Sequence, residues 1–130
     1  MLRILPRSTR GFTLIEMVAV IVVLMILAGL AYARLQSQRE KAVVASMTSD
    51  MRSVAEEQEA FYFQNRQYSN DPVALNFRAS PGDTLVIIEA TPAGWAGRIY
   101  NPKTTKQCYI VVGTAAPVGP AVADGVIRCS

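Results

Sequence analysis

Glu16 is the residue whose type and position most restrict its chemistry. It is the one charge in the 22 residues from Phe12 to Ala33, a stretch made otherwise almost entirely of apolar and small side chains. At a helix centre within a bilayer an acid costs on the order of 2.5–3.5 kcal/mol, less near a helix end, and is retained where a partner neutralises it. No Lys, Arg or His lies between Phe12 and Ala33, so the partner must come from outside the segment, and the chemistry in prospect is charge pairing in an apolar layer. Cys108 and Cys129 are the only two cysteines. They suit a disulfide in an oxidising compartment, with two free thiols as the alternative. Glu56, Glu57 and Glu59 form a carboxylate cluster that reads as a solvated helix face rather than an acid and base pair. Asp71, Asp83 and Asp124 are isolated from one another and give no calcium-binding pattern. The chain has no histidine, no glycine-rich phosphate loop and no serine in a nucleophile-elbow pattern, so an enzyme is not expected, nor a metal or cofactor.

The element that must position Glu16 is a helix. At about 1.5 Å per residue, the run from Phe12 to Ala33 spans roughly 33 Å, close to the hydrocarbon thickness of a bilayer. From about Thr13 no proline interrupts the helix formers until Pro72, which predicts one helix of roughly fifty residues ending near Gln64 or Asn65. Its first half is apolar all round. In its second half Val44, Met47, Met51, Val54, Gln58 and Phe61 recur at spacings of three and four, widened by Val43, Ala55 and Tyr62. Arg39, Lys41, Asp50, Arg52, Glu56, Glu57 and Glu59 are assigned to the opposite, polar face. Gly29 is the single breaker in the apolar half and permits a bend there.

Behind the helix, Asn65 to Pro72 is a turn-rich loop. Thr84–Ala90, Gly94–Tyr100 and Gln107–Val112 read as strands separated by Pro and Gly turns, with Val126–Cys129 as a short fourth. The short link Thr91-Pro92-Ala93-Gly94 makes the first two an antiparallel hairpin and the third continues a meander. One face of this sheet should rest on the Met47 to Phe61 stripe, giving an α+β fold: a long N-terminal helix spine packed by a small antiparallel head. The expected division is a leader at 1–11, a membrane-spanning half-helix at 12–35, an amphipathic half-helix at 36–64 and a β-sheet head at 65–130.

At Gly11-Phe12-Thr13-Leu14-Ile15-Glu16 the chain resembles the amino terminus of type IV pilins and the related pseudopilins. A short basic leader ends in Gly11, Phe12 follows, and Glu16 stands four residues later at the head of a long apolar helix. The resemblance implies cleavage between Gly11 and Phe12 by a prepilin peptidase, N-methylation of the new terminus at Phe12, and pairing of Glu16 with the terminal amine of a neighbouring subunit. It implies a structural subunit of a type IV pilus-like filament, in which copies of this chain and related minor pilins polymerise through their N-terminal helices. Further partners would be the pilus or type II secretion assembly machinery and, before assembly, a single-pass cytoplasmic membrane. The aromatics Phe61, Tyr62, Phe63 and Tyr68 resemble those that pin the following loop to the helix in small pilins, and a bridge from Cys108 to Cys129 resembles the carboxyl-terminal disulfide loop of many pilins. Many major pilins carry a proline between positions equivalent to Ala28 and Leu35; this chain has none. One alternative is therefore a pseudopilin of a type II secretion system. An alternative of another class is a small secreted binding module released after Ala33, because Ala31-Tyr32-Ala33 has the small-x-small form of a secretory cleavage site.

Charge narrows the partners. Three of the thirteen Lys and Arg precede Phe12, leaving ten against ten Asp and Glu in the remainder, so the net +3 belongs to the leader. Nucleic-acid binding is therefore not expected, although Arg98, Lys103, Lys106 and Arg128 with Trp95 and Tyr100 are the residues that would serve it. Arg34, Arg39 and Lys41 after the apolar run nearly balance Arg3, Arg7 and Arg10 before it. The cysteines tip the orientation, placing the head outside the cytoplasm.

Overall fold

A computed structural model describes residues 11–130; positions 1–10 of the expected leader, with Arg3, Arg7 and Arg10, lie outside the described residues. Helix α1 runs without interruption over Leu14–Asn65, 52 residues. The chain divides into two units, one ending at Ser37 and the other comprising Gln38–Ser130. In the first, the helical side chains make no core of their own: the large apolar residues from Leu14 to Leu35 are all exposed.

In the second unit α1 meets a four-stranded antiparallel sheet of β1 (Thr84–Thr91), β2 (Gly94–Tyr100), β3 (Gln107–Gly113) and β4 (Arg128–Cys129). The strands lie in chain order, β1-β2-β3-β4, so the topology is a plain meander. Period-two alternation decides which side chains face the helix. Trp95 and Ile99 on β2 and Cys108 and Ile110 on β3 join Met47, Met51 and Val54 of α1, with Leu75 from the connecting loop, in one buried cluster. At about 1.5–3 kcal/mol for each large apolar side chain buried, this contact is what fixes the sheet on the helix.

Asp50 departs from the polar face to which its charge assigns it: it is only 7% exposed. It stands one residue before Met51 on the buried side, and its carboxylate accepts bonds from Ser80 N at 2.6 Å and Ser80 Oγ at 2.8 Å. Two hydrogen bonds to an ionised acceptor replace its water and tie the segment before β1 to the helix. One helical turn earlier Ser46 donates to Asp83, which also accepts from Asn101 Nδ2.

The helix ends where Arg66 adopts φ 59° and its N–H reaches Tyr62 O at 2.8 Å, a left-handed cap at a position where glycine is more usual. The chain then turns back along the helix and is held by Gln58. That side chain is fully buried, donating from Nε2 to Ser69 O at 2.8 Å and accepting from Ser69 N at 2.9 Å, as a neighbouring strand would. Gln58→Ala leaves both backbone groups of Ser69 buried without partners, and we expect a loss of about 2–3 kcal/mol by urea denaturation. Tyr68 stacks on Tyr62 with ring centroids 4.8 Å apart, and its hydroxyl donates to Glu59 Oε1 at 3.0 Å. Burial first, then the hydrogen bond to Glu59, pushes the Tyr68 phenol up to about 12 from its ordinary 10.0. With the folded value raised, this contact stabilises fully below about pH 10 and is lost as pH rises through about 12. A spectrophotometric tyrosine titration should therefore show a phase near pH 12 that Tyr68→Phe removes.

The segment between β3 and β4 is loop, and it builds a small core on the far side of the sheet. Ala115 and Ala121, with Val118, pack on Ala96, Val111 and Tyr109, and Ala116 N donates to Glu89 Oε2 at 3.1 Å. The fourth strand is shorter than the expected Val126–Cys129. Gly125 has φ 69° and Val126 N turns back to Ala123 O, so Val126 and Ile127 are withdrawn from the ladder. The exposed side of β3 there is met instead by Gly125 N donating to Val111 O at 2.8 Å and by Asp124 Oδ1 accepting from Gly113 N at 2.7 Å. On the opposite edge, the β1 register shifts between Ile87 and Glu89, a bulge that leaves Ile88 exposed.

Candidate assembly site

Gly11 and Phe12 precede the helix in non-helical backbone, and Phe12 is 77% exposed. Thr13 is the N-cap and Glu16 stands three residues on, in the first turn. Each serves the other. Glu16 N donates to Thr13 Oγ1 at 3.3 Å, while Glu16 Oε2 accepts from Thr13 N at 2.8 Å and from Thr13 Oγ1 at 2.9 Å. This is a capping box, in which amide donors left over at a helix start are satisfied by side chains. Its signature, Thr-x-x-Glu before an apolar run, is legible in the sequence, yet reading Glu16 only as a charge in search of a cation passes over it. Among the described residues no donor reaches Glu16 Oε1, and no cation lies against the carboxylate. Among the described residues the acid is thus half satisfied and keeps one oxygen open.

Downstream of Glu16, α1 is long and apolar enough to cross a membrane, and none of its most apolar stretch is buried within the chain. No atom comes within 4 Å of where a Cβ on Gly29 would stand.

At the other end of the chain Cys108 and Cys129 are joined by a disulfide. They face each other across β3 and β4, and the flanking pair Gln107 and Ser130 exchange both backbone hydrogen bonds. The cysteines therefore occupy the closely spaced type of antiparallel pair, with Cα atoms 4.0 Å apart. Thr48 Oγ1 lies 3.5 Å from Cys129 Sγ and seats the bridge on the helix.

The residues that would serve nucleic acid are only partly brought together. Trp95 is fully buried between sheet and helix and offers no stacking surface: its position on β2 alternates inward, and an indole gains more from the core than from water. Lys106 is drawn toward Glu40, Nζ to Oε1 3.6 Å. Arg98, Tyr100 and Arg128 do share the outer sheet face. Glu56 and Glu59 are exposed and Glu57 half-buried. Among the described residues no cluster of His, Cys, Asp or Glu has the grouping that holds a metal ion.

Residues 6–32 match the family described as the prokaryotic N-terminal methylation motif. The chain is 29% identical over 104 residues, 80% of its length and 73% of the relative's, to the type IV wide pilus major component PilA4 of Thermus thermophilus. Both findings are likenesses to the type IV pilins, the first confined to the N-terminal segment that contains Gly11, Phe12 and Glu16.

Proposed function

We propose that this chain is a structural subunit of a type IV pilus-like filament, made as a membrane-anchored precursor and polymerised through the N-terminal half of α1. The observation that carries the reading is the wholly exposed apolar half-helix headed by Glu16. In water such a surface is strongly unfavourable, at about 25 cal/mol per Å². In lipid it is not, because lipid tails are as apolar as leucine, and association there rests on packing and polar contacts. The segment therefore has two stable homes, a bilayer or a bundle of its own copies.

Cleavage between Gly11 and Phe12 by a prepilin peptidase, followed by N-methylation, would free a cationic amine at Phe12. Glu16 of a neighbouring copy then accepts that amine on its open oxygen while Oε2 continues to cap its own helix. The match sets the axial register, since a copy out of step leaves a cation and a carboxylate unpaired in an apolar layer. Residues 12–35 form the filament core and residues 36–130 its exterior, with the head crossing to the outside of the cytoplasmic membrane. The disulfide supports that compartment, and the relationship to a pilus component supports a pilus over a secretion pseudopilus. The role is structural, not catalytic.

Mass spectrometry of the mature protein is the test. An amino terminus at N-methyl-Phe12 in filaments sheared from the cell surface is the expected result. Retention of residues before Phe12 in the assembled product, or a mature chain beginning at Arg34, would overturn it.

A further inference from the structure

The end of the head at which the chain leaves toward the apolar half-helix carries a collar of cations. Arg39 and Lys41 stand four and six residues after Leu35, the last large apolar residue of that half, so about 6 and 9 Å of helix separate them from it. Successive helical residues point about 100° apart, which puts Arg39 and Lys41 on the two flanks of Glu40. The sheet supplies a third side. Residues 101–106 turn from β2 to β3, and the turn is fastened to α1. Lys103 N donates to Asn101 Oδ1 at 3.0 Å, Asn101 Nδ2 donates to Asp83, and Asp83 accepts from Ser46 Oγ at 3.2 Å. Asn101 is buried, while Lys103 and Lys106 are exposed. Lys106 Nζ lies 3.6 Å from Glu40 Oε1, and both side chains stay about half exposed, so the pair is weak and open to exchange. Counter-charge at this end is scarce. Its side-chain carboxylates are Glu40 and Asp83, and Asp83 is buried with its oxygens turned to Ser46 and Asn101. Among the described residues no ion pair holds Arg39, Lys41 or Lys103.

We propose that this collar of Arg39, Lys41, Lys103 and Lys106 binds the phosphate headgroups of anionic lipid in the leaflet from which α1 emerges, an inference that rests on the membrane-anchored precursor proposed above. Tyr32 marks the boundary of the apolar layer. Its exposed ring closes the apolar run and its hydroxyl accepts from Gln36 Nε2 at 2.9 Å, the half-apolar, half-polar aromatic that favours a membrane–water interface. Headgroups extend about 5–7 Å beyond the hydrocarbon, and Lys and Arg reach farther on flexible stems, so the collar stands in or against the phosphate layer. Cations beyond a span ordinarily favour the cytoplasmic side; headgroup binding gives those on the outer side a use. Arg39, Lys41 and Lys106 leave the helix on three sides at nearly one level, as a plane pierced by the helix requires, whereas a protein partner meets one side. An anionic surface is worth about fivefold for each Lys or Arg held near it. Four cations against Glu40 leave three, a preference on the order of 10² for a docked head at low salt. The head is thereby drawn down onto the membrane until polymerisation lifts it away.

Headgroup contact is measured in the full-length chain reconstituted in vesicles, with a fluorophore on Thr105→Cys, an exposed position of the turn, and a quencher carried on lipid headgroups. With about a third phosphatidylglycerol, quenching should be at least about twofold stronger than in pure phosphatidylcholine. Salt at about 1 M, which cuts the screening length to about 3 Å, should abolish the difference. Arg39→Gln, Lys41→Gln, Lys103→Gln and Lys106→Gln together should give the phosphatidylcholine value in both lipids, with unchanged Trp95 emission showing that the head is folded. Glu40→Gln separates lipid binding from a structural role of the Lys106 pair. It removes the counter-charge, so lipid-dependent quenching should rise; a turn that needed the pair to hold its place would drop away and quenching would fall. Equal quenching in the two lipids, a difference that survives in the fourfold variant, or a fall with Glu40→Gln overturns lipid binding and leaves the membrane-anchored reading intact. Equal quenching together with lost filaments in the fourfold variant does the same and assigns the cations to a protein partner. A chain that washes off the vesicles in alkaline carbonate overturns the membrane-anchored reading itself, and lipid binding with it.

Discussion

Glu16→Val and Glu16→Ala should insert into the membrane normally and yield on the order of a hundredfold fewer filaments than wild type. Removing one partner of a buried charge pair costs about 3–5 kcal/mol, which corresponds to a factor of roughly 10² to 4 × 10³ in an association constant. Insertion has no reason to suffer, since the substitution makes the segment more apolar. Glu16 also caps its helix, so these variants remove two functions together, and Glu16→Gln separates them. Its amide oxygen can still accept from Thr13 N, as glutamine does in a capping box, but it carries no charge for a neighbouring amine. Thr13→Ala is the converse, losing the hydroxyl cap for about 1 kcal/mol while keeping the charge. The expected order of filament yield is wild type, then Thr13→Ala, then Glu16→Gln close to Glu16→Val. If Glu16→Gln assembled as well as wild type, the carboxylate would be a helix cap only and charge pairing would play no part in register.

The second large effect concerns the disulfide. Replacing Cys108 and Cys129 together by serine should destabilise the head by roughly 3 kcal/mol, the chain-entropy value for a loop of about 22 residues, and lower its melting temperature by roughly 10–20 °C at the entropy of unfolding of a domain this size. The bridge closes the segment that covers the outer sheet face, and β4, only two residues long, has little besides the bridge and the Gln107–Ser130 bonds to hold it. Trp95 is the sole tryptophan and is fully buried, so its fluorescence reports the melt. An unchanged melting temperature in the serine variant would mean that packing of Ala115, Val118 and Ala121 retains the loop by itself.

The main elements were legible because each is written in a local pattern. Helix α1 follows from an unbroken run of helix formers, and the three long strands from β-branched and aromatic runs between glycine and proline turns. The side of α1 that meets the sheet follows from the spacing of Met47, Met51 and Val54. What was not legible depends on partners distant in sequence. Asp50 looks solvated until Ser80 is brought to it, and Gln58 counts as a polar interruption in an apolar stripe until the backbone of Ser69 lies alongside. The loop at 114–121 has no periodicity, yet its alanines find Ala96 and Val111 once the sheet exists. Trp95, counted with the exposed aromatics, is turned inward by the alternation of β2. At the candidate assembly site, Gly11, Phe12 and Glu16 stand out in sequence because an acid in an apolar run demands an explanation, whereas the reciprocal bonding of Thr13 hides behind that demand.

The two margins of the sheet bear on how densely such heads can be crowded. A ladder with vacant backbone donors and acceptors along its border is a template on which an identical chain adds another strand, and the hazard grows with local concentration. Here one border is broken by the offset at Ile88 and the other is sealed by the carboxylate of Asp124 and the amide of Gly125. Crowded heads would then meet more readily through side chains than by adding strands, which disfavours fibrous β-aggregation.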